Sequence, residues 1–162
     1  MISLLWTSGS INPAEHEAIV SYVSRKIGAG DRGFGECRCM AAFDDAVFLG
    51  AVVFHNYEPM ADVIEISAAA ESKRWLGRQA LEAIFAYAFR DCGCQMVVAR
   101  ISEENKGLHR IFHAYGFTSF VIPRLRGRHE DERIFTLTDD AWKQSKFYRS
   151  DLNGQAKDTR AA

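Results

Sequence analysis

No run of eighteen apolar residues occurs anywhere in the 162-residue chain, which excludes a membrane-spanning helix. Neither charge is in excess. Twenty Lys and Arg stand against 21 Asp and Glu, for a net charge of −1, which argues against bulk binding to nucleic acid. The opening residues MISLLWTSGS have neither a basic lead nor a long apolar core, so no secretory leader is expected. No internal repeat is present. Cysteine is sparse, four residues in two C-x-C pairs: Cys37 with Cys39, and Cys92 with Cys94. On a strand, such spacing puts both thiols on one face. Structural zinc sites usually space their cysteine pairs by two to four residues, so no metal is expected. The four read as buried, reduced thiols of a cytoplasmic protein. What is present is ordinary globular composition, nearly half apolar and 25% charged, in a length suited to one domain with a real core.

The periodicity sets out the elements. ISLLWT (2–7) reads as a first strand. Asn12-Pro13 reads as an N-cap followed by Pro at the first helical position, and Ile19, Val20, Val23 and Ile27 give that helix its apolar face. Gly28 to Gly35 form a loop. Residues 37–43 and 46–55 are two apolar runs split by Asp44-Asp45, a hairpin. Gly50 inside the second run marks a bulge or a close backbone approach. NYEPMAD (56–62) is a turn, and VIEISAAA (63–70) a strand ending in small residues. Residues 75–92 predict the strongest helix, with Leu81, Ile84, Phe85, Ala88, Phe89 and Cys92 on its buried stripe. Residues 95–102 form a strand. In NKGLHRIFHAYGF (105–117), Leu108, Ile111, Phe112 and Tyr115 share one helical face, and Gly116 ends it. Two strands follow, 117–123 and 133–138, around a polar loop, then a short turn with Trp142. The expected domain is 1–146, with a polar, frayed tail at 147–162.

The strand–helix–strand step over 63–102 demands a right-handed parallel crossover, whereas the hairpin before it is antiparallel. The expected fold class is therefore α+β, a central mixed β-sheet flanked by helices.

This order, together with Asn105, the pair Ile111-Phe112 and Gly116-Phe117, resembles the GNAT superfamily of N-acetyltransferases, over roughly residues 40 to 145. The pattern EIS…RWLGRQALEAIFAYAF…GC also resembles the branch that acetylates the N-termini of ribosomal proteins. The resemblance implies a GNAT-like fold and an acyl-CoA-dependent N-acetyltransferase. Such an enzyme passes the acetyl group of acetyl-CoA to an amine by direct attack in a ternary complex. The pyrophosphate of the co-substrate would lie on a turn opening the long helix, where backbone N–H groups and the positive helix end meet. Arg74, Trp75, Leu76, Gly77, Arg78 and Gln79 occupy that turn. Aligned on Arg74, it has Gly77 as its first Gly and Gln79 in place of the second small residue. Aligned on the helix body, it has Trp75 in place of the first Gly. Arg74 and Arg78 could pair with phosphate directly. Ser67, Ala68 and Ala69 would pair with the pantetheine arm, Asn105 would contact it, and Phe112 would flank it. Asn105 also reads as a plain helix cap.

An alkylammonium acceptor must lose a proton before it attacks. Glu65, charged in mid-strand, is the candidate base or amine anchor, or else an exposed-face glutamate. Asp62 reads as a turn residue. The family's usual acidic Tyr is Phe112 here, so Tyr115 stands as the alternative acid. His109 and His113 lie at i and i+4 and read as solvent-facing. Tyr57 and Trp75 could line an acceptor pocket. The Arg-rich hairpin, Arg124 to Arg133, reads as a solvated loop or a substrate-facing one. Two further functions fit the same residues: a CoA-binding module without catalysis, and a nucleic-acid-directed protein using that hairpin. The free edge of the C-terminal hairpin could pair two copies of the chain.

Overall fold

The computed structural model describes residues 1–149. In chain order the elements are β1 (Ile2–Ser8), α1 (Pro13–Lys26), β2 (Arg38–Asp44), β3 (Val47–Glu58), β4 (Val63–Ala70) and α2 (Arg78–Ala86). Then come β5 (Met96–Ser102), α3 (Lys106–Tyr115), β6 (Thr118–Gly127), β7 (Glu130–Thr138) and α4 (Asp139–Gln144). The strands form one seven-stranded sheet in the order β1-β2-β3-β4-β5-β7-β6. Every neighbouring pair is antiparallel except β4–β5. This is the expected mixed sheet with helices on its faces. No helix among the described residues is long and apolar enough to cross a membrane.

The two faces bury different sets. On one, Ile19 and Val23 of α1 pack on Cys39, Ala41, Ala51 and Val53. On the other, Ile84, Phe85, Ala88 and Phe89 join Met40, Val52, Phe54, Ile64 and Val97, and Tyr115 and Trp142 bring α3 and α4 to the same core. Each fully buried Ile or Phe there contributes about 1.5–3 kcal/mol. Because both faces of β3 are covered, Leu49 to His55 read as one continuous buried run.

Several elements differ from the sequence reading. The helix expected over 75–92 comes in three pieces. Lys73–Leu76 is a single 3-10 turn, capped by Ser72, whose hydroxyl accepts from Arg74 N. Gly77 is extended (φ −64°, ψ 168°), and α2 starts after it. The last turn, Tyr87–Asp91, widens to π geometry, with Cys92 N–H donating to Tyr87 O at 2.9 Å. Asn12 stands at the N-cap position but does not cap with its side chain. Its amide instead donates to Trp6 O and accepts from Ser8 N, tying α1 to β1. The register of β2 and β3 slips between Ala42 and Phe43, beside Gly50. A methyl group at Gly50 would stand 2.9 Å from Trp75 Cγ and 3.0 Å from Ala69 O, so this glycine answers both a bulge and a close approach.

The polar loop expected after residue 123 is mostly strand: β6 runs to Gly127 and β7 starts at Glu130. The domain also passes its expected end at 146. Phe147 stacks on Tyr115 at 4.4 Å, and Tyr148 meets Trp142 edge-on at 4.9 Å. The rest of the expected tail, from 150 on, lies outside the described residues.

Candidate active site

β4 and β5 are parallel neighbours for only three residue pairs, Val63–Met96, Ile64–Val97 and Glu65–Val98. Beyond Glu65, β4 continues to pair with β3 as far as Ala70. Likewise β5 stays with β7 as far as Ser102. The two strands therefore part. A wedge opens in the sheet between Ile66–Ala70 and Ala99–Ser102, whose facing backbones share no ladder bond. Backbone polar groups left without a ladder need another partner, so such a wedge suits an extended amide-bearing ligand.

α2 begins next to β4. Its first N–H groups follow Gly77 and have no side-chain cap. They carry the positive end of the helix. Arg78 and Gln79 are exposed there. Arg74 is committed elsewhere, bound to Asp44 at 2.5 Å. Trp75 is buried against Gly50, so it floors the turn and does not line an acceptor pocket. Leu76, Arg78, Leu81 and Glu82 form one wall of a cavity of about 400 Å³, opposite Lys146 and Phe147.

Glu65 is the last residue of β4 that pairs with β5, at the apex of the wedge. Across the β3–β4 ladder it stands opposite His55, so both side chains point to the α1 face. Glu65 Oε2 accepts from Asn56 Nδ2 at 2.8 Å, and Oε1 lies 3.9 Å from His55 Nε2. That imidazole nitrogen also shares a hydrogen bond with Ser67 Oγ at 2.9 Å. Phe34, from the loop after α1, leans on the ring at 4.7 Å. Burial holds the His55 imidazole below its ordinary value of 6.5; Glu65 opposes this and the Arg100 guanidinium adds to it. His55 is thus neutral at pH 7, next to a carboxylate. Arg100 and Ser102 of β5 share this face. Arg100 grips the buried carboxylate of Glu132 with Nε and Nη2 (3.2 and 2.8 Å), and Arg126 adds a third contact at 3.1 Å. Replacing one partner of such a buried pair strands the other charge, so the network holds β5, β7 and β6 in one piece.

The remaining expected site residues sit on or beside α3. Tyr115 lies on the opposite face of the sheet, its ring between Phe85 and Phe147 at 4.4 Å from each. Its hydroxyl is buried and meets no hydrogen-bond criterion among the described residues, and burial pushes its pKa up, with Trp142 opposing. Asn105 caps α3, accepting from Leu108 N at 3.3 Å. Phe112 packs on Phe117 and Phe135. The face of α3 is also shifted from the expected one. Ile111 is exposed, whereas His109 is buried and its Nε2 meets Ser102 O at 2.9 Å. His55 and Glu132 escaped the sequence reading as site residues. His55 closes an apolar run and Glu132 sits in a charged one, and only the pairing register, which no local pattern prints, brings His55 beside Glu65 and Glu132 against Arg100.

The sequence pattern of the Acetyltransferase (GNAT) domain family matches residues 5–118. No curated protein sequence matches the chain. Among solved structures, the fold is similar to that of yncA from Salmonella typhimurium, assigned as an acetyltransferase and solved with its cofactor acetyl-CoA. That likeness has a TM-score of 0.65 at 19% identity and covers 90% of this chain and 96% of that one. It is also similar to mutant forms of the spermidine/spermine N-acetyltransferase SpeG from Vibrio cholerae. Here the TM-score is 0.69 at 9% identity, over 87% of this chain and 95% of that one.

Proposed function

The chain belongs to the family of GNAT acetyltransferase domains, and on that premise we propose that it moves an acetyl group from acetyl-CoA to a primary amine by direct attack. The observation that carries this reading is the three-pair limit on β4–β5 pairing. The wedge receives the pantetheine arm along Ser67, Ala68 and Ala69, where small side chains leave the strand edge open. The pyrophosphate rests on the N–H groups after Gly77, with Arg78 beside it. Phosphate can recruit Arg74 only by outcompeting Asp44.

The amine arrives from the α1 face. Glu65 anchors it as an ammonium, and neutral His55 takes its proton. The freed amine attacks the thioester carbonyl; as the C–S bond breaks, the CoA thiolate leaves and takes up the second proton shed by the attacking nitrogen. A thiolate is stable enough to leave without a placed acid, so neither Tyr115 nor Phe112 has to supply a proton. Polyamines and protein N-termini both present such an amine, and the spermidine acetyltransferase among the similar folds favours including polyamines. The acting unit is one domain, working in the cytoplasm. The exposed β6 edge, with Phe120, Val121, Ile122 and Leu125, is where a second copy would pair.

The test is thermal unfolding with acetyl-CoA, together with thiol release over a panel of amines that includes spermidine and N-terminal peptides. Acetyl-CoA at 100 times its Kd should add about 2.7 kcal/mol of stability. Amine-dependent thiol release should follow. No stabilisation and no release would overturn the proposal. Stabilisation without release over the whole panel would favour a CoA-binding module.

A further inference from the structure

The thiol pair at the start of β2 has a partner 21 residues upstream of Cys37, in α1. Thr7 of β1 stands opposite Cys39 of β2 in the ladder, so their side chains share the α1 face. The Asn12 side chain fixes the start of α1 to β1 through Trp6 O and Ser8 N. One turn further, this brings His16 over Thr7, with Thr7 Oγ1 at 3.0 Å from His16 Nδ1. The other ring nitrogen, Nε2, then faces Cys37 Sγ at 3.6 Å. His16 nitrogen, Cys37 Sγ and Cys39 Sγ all lie within 4.8 Å of one another.

We propose that His16, Cys37 and Cys39 form a zinc site, with three protein ligands and a fourth position open to water. Zinc bound at about 2.3 Å to sulfur and about 2.0–2.1 Å to nitrogen, in a tetrahedron, spaces its donors about 3.5–3.8 Å apart. The His16–Cys37 edge already has that length, and the rest of the set closes within about an ångström. Two soft thiolates and an imidazole are the donors zinc favours. Thr7 supplies the outer contact that metal-binding histidines need, occupying Nδ1 so that Nε2 is presented to the ion. Cys39 and Thr7 are fully buried, whereas His16 and Cys37 are half-buried, which gives an entry path. On binding, both thiols lose their protons to solvent and no redox step is involved. The proposed acetyl transfer uses none of these residues.

Metal-free, reduced full-length chain is titrated with Zn²⁺ against a chromophoric chelator, and separately with Co²⁺. One zinc per chain is expected, and cobalt should give thiolate charge-transfer absorption with tetrahedral visible bands. Cys37→Ser and His16→Asn should each weaken zinc at least tenfold, and Thr7→Val about tenfold. Cys39 lies in the core, so the half-buried Cys37 is the variant that keeps the fold intact. A Cys92→Ser variant, at a half-buried position, should bind as the wild type does. Failure to take zinc from the chelator, unchanged affinity in Cys37→Ser, or loss of the site in Cys92→Ser would each overturn the proposal. None of these readouts involves acetyl-CoA, so their failure is separate from failure of the acetyltransferase reading.

Discussion

In the proposed mechanism Glu65 holds the amine and His55 takes its proton, so their substitutions should separate. Glu65→Gln should lower kcat/KM for the amine roughly 100-fold while leaving acetyl-CoA affinity within about twofold, because only the amine side loses a charge. His55 governs the pH response. Its folded pKa lies below 6.5, so between the two values the unfolded chain binds more protons than the folded one. Stability linked to His55 is therefore present above pH 6.5 and is lost as the pH falls toward the folded value. Activity should decline over the same acid range, and His55→Gln should abolish that dependence in urea melts and in the pH–rate profile alike. Tyr115→Phe should leave kcat within about twofold and stability unchanged or slightly higher, because the hydroxyl it removes is buried with no hydrogen-bond partner among the described residues. A large loss of kcat in Tyr115→Phe would restore Tyr115 as the acid. Glu65 stands out in the sequence because a carboxylate interrupts an apolar run. His55 does not, since a lone histidine at the end of an apolar run carries no signal until its ladder partner is known.

Elements were legible where period and punctuation agree. α1, β4 and α3 begin and end within a residue or two of the expected bounds, because Pro13, the alanine run and Gly116 each mark a boundary through backbone geometry. The broken start of α2 was hidden. Trp75 looks like the first apolar residue of the helical stripe, but its ring is spent on Gly50 of β3, a contact between elements. Gly50→Ala should test that packing. Its new methyl meets Ala70 Cβ at 2.8 Å and the Ala69 carbonyl at 3.0 Å, and backbone cannot turn aside as a flexible side chain can. A loss of about 1–3 kcal/mol in urea unfolding is expected, and no loss would mean that β3 and the 3-10 turn are packed more loosely. The C-terminal hairpin misled for another reason. Its charges suggested a solvated loop, yet Arg126 and Glu132 pair across strands, and β6 is an edge strand that carries polar residues without leaving the sheet.

The whole molecule is a sheet divided by function. β1 to β4 form one half around α1, β5 to β7 the other, and three residue pairs join them. Phe147 and Tyr148 complete the core on the far face through their ring contacts with Tyr115 and Trp142. Ending the chain at Lys146 should cost about 2 kcal/mol, visible as a lower urea midpoint, because Tyr115 and Trp142 lose their stacking partners. The central claim is that the wedge between β4 and β5 holds the co-substrate. Residue-resolved amide hydrogen exchange, with and without acetyl-CoA, reads it most directly. Gap-facing amides within 66–70 and 99–102, and the first amides of α2 after Gly77, should gain protection together on binding. Acetyl-CoA binding that leaves all of those amides unchanged, or that protects another part of the sheet instead, would contradict it.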